Sequence, residues 1–300
     1  MTNNEEIFNQ GLDILNKFKL NWNVTKLPLF SNLETDILPT NSFGIFRTDT
    51  NEWLGTHGKN YVPLQNCFAL QNFDLINTVL TASQDIQDFN LQEVKAGVFL
   101  KGRKVYIQLP LRNEEIGASQ VKRWITALNS HDGSTAVAFG SQQTVIICEN
   151  TFYKAYKELN KVRHSLHMNQ KLEVMVEDLN ASLLLDKLMV DEFKSWIDKP
   201  ITTNQIDAVL KSIVSLDDTQ DLEDISTRKS NQIKRINESF ETEFATQGEN
   251  LWGLFNGVTR YTNHNMFPNK SQNSIQESLM LGQAAKINET AFNQIHAFAN

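Results

Sequence analysis

The strongest constraint on the fold is a long internal stretch without helix-breaking residues. No glycine occurs between Gly140 and Gly248, and Pro200 is the only proline between Pro110 and Pro268. Glycine and proline destabilise helix interiors more than any other residues, so a stretch that lacks them favours helices. Apolar residues here recur every three to four positions, which is the period of a helix with one buried face. The second half of the chain is therefore predicted to be helical.

Apolar spacing also predicts where individual helices lie. The longest runs over about 167–198, and its apolar pattern is interrupted at Asp186. The acidic segment 215–226 is the best candidate for a linker, and Ser274 and Glu277 have the spacing of a capping box that opens the last helix. The other predicted helices cover about 5–20, 67–83, 203–215, 233–244 and 252–264, together with one that begins at Asn150 or Thr151 and continues through Leu159.

Residues 94–148 show the alternation typical of antiparallel strands. Two runs, 94–100 and 104–109, flank the short link Lys101-Gly102-Arg103 and predict a hairpin. In the second run apolar and polar residues alternate, so we expect one face in a core and the other toward solvent or a partner. The outward face carries Lys104, Tyr106 and Gln108.

Two further strands are predicted at 121–129 and 135–148, separated by the turn His131-Asp132-Gly133-Ser134. Together the patterns predict an α+β fold, with a mixed, mostly antiparallel sheet in the N-terminal half followed by a helical C-terminal half. We expect residues 1–160 to form the α+β sheet domain with the basic hairpin, and residues 161–300 to form a helical region packed on it.

Composition argues against several classes of protein. No run of 18 uncharged apolar residues occurs, so we expect no membrane span, and the acidic start predicts no secretory signal. Cys67 and Cys148 lie beside apolar runs and are expected as reduced thiols, in keeping with a cytosolic protein. The common nucleotide-hydrolysis and dinucleotide-redox motifs are absent, as is an EF-hand loop, so we expect no cofactor.

Basic residues are concentrated in the middle of an otherwise acidic chain. Residues 95–163 carry eleven bases and five acids, which gives +6 there and −13 elsewhere, for a net charge of −7. This distribution favours an anionic ligand on one face; the alternative is a set of solvated lysines on unrelated surfaces. Cations attract phosphates and aromatic faces stack unpaired bases, so a nucleic-acid interface is a candidate. Its expected members are Lys101, Arg103, Lys104, Tyr106, Lys122, Arg123, Trp124 and Arg163.

His131, Asp132 and His164 are candidates for catalysis, although the sequence does not decide whether the protein is an enzyme. The turn at 131–134 brings together His131, Asp132 and a serine; the alternative is an ordinary turn in which Asp132 accepts backbone hydrogen bonds. His164 and His167 lie three residues apart, a spacing that places two imidazoles on one helical face. Neither HExxH nor a CxxC pair occurs, so no metal site is expected from motifs.

Eight segments form a specific pattern by their order and spacing. They are LNWNVTKLPLF (20–30), FRTDTNEWLGTHGKNYVPLQN (46–66), AGVFLKGRKVYIQLPL (96–111), LNSHDGSTAV (128–137), TVIICENTFYKA (144–155), RHS (163–165), WGLFNGVTRYTNH (252–264) and LMLGQAAK (279–286). In these segments the chain resembles, over nearly its whole length, the phage- and plasmid-encoded family known as domain of unknown function 932. It departs from the family pattern at Ser165, Leu166 and Asn263.

The resemblance implies a gene of phages, plasmids and integrated mobile elements, found near replication, recombination and anti-restriction genes. It brings no established activity. It also implies a shared set of polar residues, expected to meet in one cleft: Arg47, Asp49, Gln65, Asn66, Asn150, Trp252, Asn256 and His264.

Three functions remain open from the sequence. The leading hypothesis is a phage or mobile-element accessory protein that binds nucleic acid, with single-stranded DNA in recombination or replication as the expected partner. The second is a metal-assisted hydrolase on nucleic acid, with His131, Asp132, His164 and His264 clustered. The third is a protein-binding inhibitor of host defence whose acidic surface mimics nucleic acid. Whether the chain self-associates is left open.

Overall fold

The computed structural model describes residues 12–33, 36–66, 93–145, 150–153, 160–168, 170–172, 179–217 and 225–300. Strands dominate the N-terminal half and helices the C-terminal half, which confirms the predicted α+β fold. The strands are β1 (Val24–Leu33), β2 (Asp36–Arg47), β3 (Trp53–His57), β4 (Lys95–Phe99), β5 (Lys104–Ile116), β6 (Ser119–Ser130), β7 (Val137–Val145), β8 (Thr151–Tyr153) and β9 (Asn160–Val162). The helices are α1 (Leu179–Trp196), α2 (Thr203–Val214), α3 (Thr227–Gln247), α4 (Leu251–Arg260), α5 (Gln272–Leu281) and α6 (Gln283–Ala299).

The first sheet is antiparallel, with the strand order β1-β2-β3. Its two long strands form a ribbon in which Val24 pairs with Arg47 and Leu33 with Asp36. The side chain of Gln65 is bound to β1, because its Oε1 accepts from the Val24 amide at 2.8 Å and its Nε2 donates to the Val24 carbonyl at 2.9 Å. This pairing joins the segment after β3 to the start of the ribbon.

The second sheet has the order β4-β5-β6-β7-β8, and β9 also pairs with β7. Strands β4 and β5 form the hairpin predicted around residues 101–103, with Phe99 opposite Lys104. The turn that joins them contains three consecutive residues with positive φ: Leu100 at 49°, Lys101 at 59° and Gly102 at 97°. Strands β6 and β7 flank the turn at 131–134, as the sequence predicts.

The prediction that β5 has an outward face is wrong. Lys104, Tyr106 and Gln108 are as buried as the apolar residues between them. The Tyr106 ring stacks on Phe99 with centroids 4.9 Å apart, and Gln108 Nε2 donates to Thr126 Oγ1 at 3.3 Å. Strand β5 lies inside the sheet between β4 and β6, and its polar residues find partners within the protein.

Several predicted helices are confirmed within the described residues. The helix expected at 203–215 is α2, which is opened by a capping box between Thr202 and Gln205. The helix expected at 233–244 is part of α3, and the one at 252–264 continues from α4 into a π-helical turn at Tyr261–Asn265. Of the helix expected at about 167–198, α1 is described, and the helix expected at 67–83 lies outside the described residues.

Two local predictions are wrong. Thr151–Tyr153 is a strand paired with β7 rather than the start of a helix, because its backbone groups join the sheet ladder. Ser274 does not open a helix; it is the third residue of α5 and donates its amide to the hydroxyl of the true N-cap, Ser271, at 3.3 Å. The last helix, α6, begins after Gly282 instead.

The chain forms two compact units composed of discontinuous segments. Unit 1 contains residues 1–112, 124–140 and 159–183, and unit 2 contains 113–123, 141–158 and 184–300. These units do not follow the division at residue 160 expected from sequence, because β5, β6 and β7 each contribute residues to both.

Each unit has its own apolar core. In unit 1 the core joins the residues before β1 to the sheet strands, and its centre includes Leu20, Ile45 and Ile125. In unit 2 the core lies among the helices and includes Phe193, Trp196 and Phe255. Within the part of the chain that the structure describes, no helix has the length and apolar character needed to cross a membrane.

Candidate functional site

Three aromatic side chains form a stacked cluster in unit 1. The His57 ring lies 3.6 Å from the Tyr61 ring with an angle of 8° between their planes, and the Tyr61 ring lies 4.9 Å from that of His164 at 25°. All three side chains are partly buried. Of the three, only His164 was a candidate for chemistry from the sequence; His57 and Tyr61 lie in the family segment 46–66, where no spacing pointed to a shared cluster.

Backbone carbonyls fix the orientation of each ring. His57 Nε2 donates to the His131 carbonyl at 3.0 Å, Tyr61 Oη to the Ser130 carbonyl at 2.9 Å, and His164 Nδ1 to the Val62 carbonyl at 3.2 Å. A carbonyl only accepts, so these contacts require a proton on His57 Nε2 and on His164 Nδ1. Burial lowers the pKa of His164 to about 4, so its ring is neutral at pH 7.

Two glycines let β3 approach the turn at 131–134 closely. A Cβ on Gly133, whose φ is +69°, would lie 2.4 Å from His57 Cε1, and a Cβ on Gly55 would lie 2.7 Å from the Cα of Asp132. Any larger residue at either position forces the two segments apart.

Hydrogen bonds within the turn itself stabilise its conformation. His131 is fully buried, its Nε2 lies 3.0 Å from Asn66 Oδ1, and burial lowers its pKa to about 3. Burial raises the pKa of Asp132, but hydrogen bonds from Ser134 and Ser130 outweigh this and leave the pKa lowered. Asp132 Oδ1 accepts from Ser130 Oγ at 2.7 Å, Ser134 Oγ at 2.6 Å and the Ser134 amide at 2.9 Å. This is the turn-stabilising role that the sequence left open as the alternative.

The N-terminal members of the expected cleft lie near one another in unit 1. Arg47 donates to both oxygens of Asp49, at 3.0 and 2.7 Å, and its guanidinium lies 4.2 Å from the centroid of the Trp22 ring. The Trp22 ring is 5.3 Å from that of His131, which contacts Asn66. The side-chain hydrogen bond to Arg47 lowers the pKa of Asp49. These residues support one another and bind the backbone before β1.

The remaining cleft residues belong to unit 2. Asn150 Nδ2 donates to Glu243 Oε1 at 3.1 Å and to the Asn256 carbonyl at 3.3 Å. Trp252 is buried in the core of that unit, and His264 lies in the π-helical turn. Glu243 also accepts from Arg260 Nη1 at 3.3 Å, and its side chain is buried. The sequence did not predict this burial, because Glu243 lies in a predominantly polar helix. The residues expected to share one cleft therefore divide between two units, each with its own contacts.

Half of the expected nucleic-acid contacts are buried, which corrects the predicted interface. Lys104, Tyr106, Arg123 and Trp124 are all at most 8% exposed. Arg123 Nε donates to Asp186 Oδ2 at 2.6 Å, and the residue that interrupts the apolar pattern of α1 is thus the partner of a buried cation. Trp124 lies beneath Lys95, whose Nζ is 4.6 Å from the ring centroid. None of these four presents its side chain to a polyanion.

The other four expected contacts are at least partly exposed. Lys101 lies in the β4–β5 turn and Arg103 directly follows it. The Arg103 guanidinium lies 5.1 Å from the centroid of the Trp53 ring. Lys122 is half-buried in unit 2, and Arg163 is exposed in unit 1. Trp53, which the sequence analysis did not select, is 47% exposed.

The described residues offer no group of three or more His, Cys, Asp or Glu side chains that could hold a metal ion. His164 and His167 do not share a helical face either, because residues 163–167 are not helical. The metal-assisted alternative therefore has no ligand set among the residues selected for it, all of which are described.

One cavity lies beside the His57–Tyr61–His164 cluster. Its volume is about 840 Å³, and it is bordered by the middle of β2, the end of β3 with the loop that follows, and the segment after β9. The lining residues are Thr40, Asn41, Phe43, His57, Gly58, Lys59, Asn60, Tyr61, Arg163, His164 and Ser165.

The fold and these sites define an α+β protein with antiparallel sheets, a helical C-terminal half and a stacked His–Tyr–His cluster beside an open cavity. A family model described as Domain of unknown function (DUF932) matches residues 53–285, so the chain belongs to that family. No curated protein and no solved structure matches it.

Proposed function

We propose that this protein binds single-stranded nucleic acid through Trp53 and the β4–β5 turn, as an accessory protein of a phage or mobile element in the bacterial cytosol, in replication or recombination. One observation carries the proposal. An exposed indole lies beneath the Arg103 guanidinium, and the same turn presents Lys101, whose side chain is 85% exposed.

The chemistry of this surface suits unpaired bases. An exposed aromatic face stacks a base, and each such contact contributes about 1–3 kcal/mol. Bases in a duplex are already stacked on one another, so an indole face favours a single strand. Cations beside the ring attract the phosphates that flank the stacked base.

The turn is held firmly enough to present these groups in one geometry. Its residues Leu100, Lys101 and Gly102 all have positive φ, an uncommon conformation for the first two. The Arg103 amide donates to the Leu100 carbonyl at 3.3 Å, and the Arg103 carbonyl accepts from the His131 amide at 2.7 Å. Lys101 lies 3.9 Å from Glu52, but both side chains are exposed, and a pair of this kind contributes too little to keep a phosphate away.

Fluorescence anisotropy with labelled pyrimidine oligonucleotides, single-stranded and duplex, tests the proposal. Two phosphate contacts to a single strand predict that the logarithm of the association constant falls with the logarithm of salt concentration with a slope of about −1.4. Trp53→Ala should weaken binding about 5- to 150-fold through the lost stacking, whereas Trp53→Phe should restore most of it.

The double variant Lys101→Ala/Arg103→Ala should flatten the salt dependence. Its matched control is Lys234→Ala/Lys286→Ala, which removes two exposed cations from the helices of unit 2 and should leave binding unchanged. Thermal unfolding of every variant verifies the fold. The proposal fails if no oligonucleotide binds at low salt, if duplex binds more tightly than single strand, or if the two double variants behave alike. The role as a protein-binding inhibitor of host defence stays a prediction.

A further inference from the structure

The cavity of about 840 Å³ beside the stacked cluster takes no part in the proposed strand binding. Neither Trp53 nor any residue of the β4–β5 turn lines it. Its volume is in the range of small-molecule sites, which extends from about 300 to 1,000 Å³. The cavity is therefore large enough for a small-molecule ligand.

The charge of the lining is positive. Lys59 and Arg163 are exposed, and among the described residues neither has an ion-pair partner. None of the described residues that line the cavity is acidic. The carboxylate of Asp132 acts electrostatically on Tyr61 of the lining, and its Oδ1 already accepts three hydrogen bonds. Two free cations without a competing acid favour a phosphate group.

A third cation holds the loop that carries Lys59. Lys26 Nζ donates to the Lys59 carbonyl at 2.7 Å and to the Tyr61 carbonyl at 2.8 Å, and it lies 4.6 Å from the centroid of the Phe43 ring. The Lys26 charge therefore adds to the positive potential beside the loop. The same contacts set the path of residues 59–61, which carry part of the lining.

The rest of the lining suits a planar heteroaromatic ring. Phe43, His57, Tyr61 and His164 supply aromatic surface, and the His57 and His164 rings are held by the carbonyls described above. Asn41 and Asn60 add side-chain amides, each with both donors and an acceptor for the edge of a base. A sugar phosphate or a simple anion would use the cations but leave the aromatic surface in water.

We propose that this cavity binds a nucleotide, with its phosphate at Lys59 and Arg163 and its base against the aromatic lining. The cations supply charge-assisted hydrogen bonds to the phosphate, and the amides contact the base edge. The site is separate from the surface proposed for strand binding, since the two share no residue.

Isothermal titration calorimetry with the four ribonucleoside monophosphates tests this, with adenosine and inorganic phosphate as the partial ligands. At least one nucleotide should bind about tenfold or more tightly than either partial ligand, because only the nucleotide uses both halves of the cavity. Arg163→Ala and Lys59→Ala should each weaken nucleotide binding by about tenfold, and Lys286→Ala, an exposed cation in unit 2, should not change it.

Each other outcome overturns the inference. If no nucleotide binds, the cavity has another occupant or none; if phosphate binds as tightly as any nucleotide, it is an anion site only. An unchanged affinity in Arg163→Ala would place the ligand elsewhere. Trp53→Ala should weaken oligonucleotide binding about 5- to 150-fold and leave nucleotide binding unchanged. Arg163→Ala should weaken nucleotide binding about tenfold and leave oligonucleotide binding unchanged. If Arg163→Ala weakens both equally, the cavity belongs to the path of the strand and is not a separate site.

Discussion

The buried ion pair between Arg123 and Asp186 allows a direct test of why an expected phosphate contact became a structural residue. The Arg123 side chain is 1% exposed and that of Asp186 is fully buried. Arg123 Nε donates to Asp186 Oδ2 at 2.6 Å, and Nη1 lies 3.4 Å from Glu114, whose side chain is 30% exposed. Replacing Asp186 by leucine removes the fully buried carboxylate and leaves Glu114 as the acidic partner of the guanidinium among the described residues.

The expected cost follows from this burial. Removing one partner of a buried pair leaves an uncompensated charge and destabilises a protein by about 3–5 kcal/mol. Replacing both partners by apolar side chains of similar size is often neutral or stabilising, because the desolvation cost of two ions disappears as well. We therefore expect Asp186→Leu to lower the free energy of unfolding by about 3–5 kcal/mol, and Arg123→Met/Asp186→Leu to recover most of that loss.

Urea unfolding followed by circular dichroism measures both variants against the natural protein. The control is Lys194→Met, which breaks the ion pair between Lys194 and Glu114 at 3.0 Å; both of its side chains are partly exposed, so its cost should be at most about 1 kcal/mol. The double variant should also bind oligonucleotides normally. The reasoning is refuted if Asp186→Leu costs no more than the control, or if the double variant is as unstable as the single one.

Three further predictions concern the stability of the two units. Burial lowers the pKa values of His131 and His164 to about 3 and 4, so below pH 6.5 the unfolded chain binds more protons than the folded one. The free energy of unfolding should therefore fall as the pH drops, by about 2 kcal/mol for each residue at pH 5. In urea titrations at pH 7 and 5, His164→Gln should remove about half of that loss. Gly133→Ala should lower the free energy of unfolding by about 1–3 kcal/mol, because φ at this position is +69° and the new Cβ would lie 2.4 Å from His57. Gly58→Ala, whose Cβ would meet no atom within 4 Å, should leave the stability nearly unchanged; thermal unfolding compares the two variants. Asn250→Ala removes the side chain that caps α4 through the Gly253 amide at 2.8 Å and should lower the free energy of unfolding by about 0.5–2 kcal/mol, a result that equal melting temperatures would contradict.

Local signals predicted most of the secondary structure because they act over a few residues. The hairpin around residues 101–103, the turn at 131–134 and helix α2 all follow from periodicity and from turn or cap residues. The strand at Thr151–Tyr153 was missed because its hydrogen bonds to β7 decide its conformation, and its own side-chain pattern does not show that pairing. Ser271 and Ser274 both suit an N-cap, and the sequence alone does not choose between them.

The candidate site was less predictable, because burial depends on neighbours distant in sequence. Lysines and arginines of the middle segment look alike along the chain, yet Arg123 is buried against Asp186 and Lys101 is exposed on a turn. Trp53 gave no local signal, because its contact with the Arg103 guanidinium joins residues that are far apart in sequence. The His57–Tyr61–His164 stack joins residues up to 107 positions apart, and no local pattern records it.

The sequence alone determined the class of fold, the order of its elements and the family to which the chain belongs. These depend on residue periods, breakers and ordered motifs that the linear chain carries in full. Only the tertiary structure decided which cations are exposed, which histidines are neutral and which residues surround the cavity. The reason is physical: desolvation and pairing are set by the atoms that surround a group in space, and the same side chain binds a phosphate in water or a carboxylate in a core.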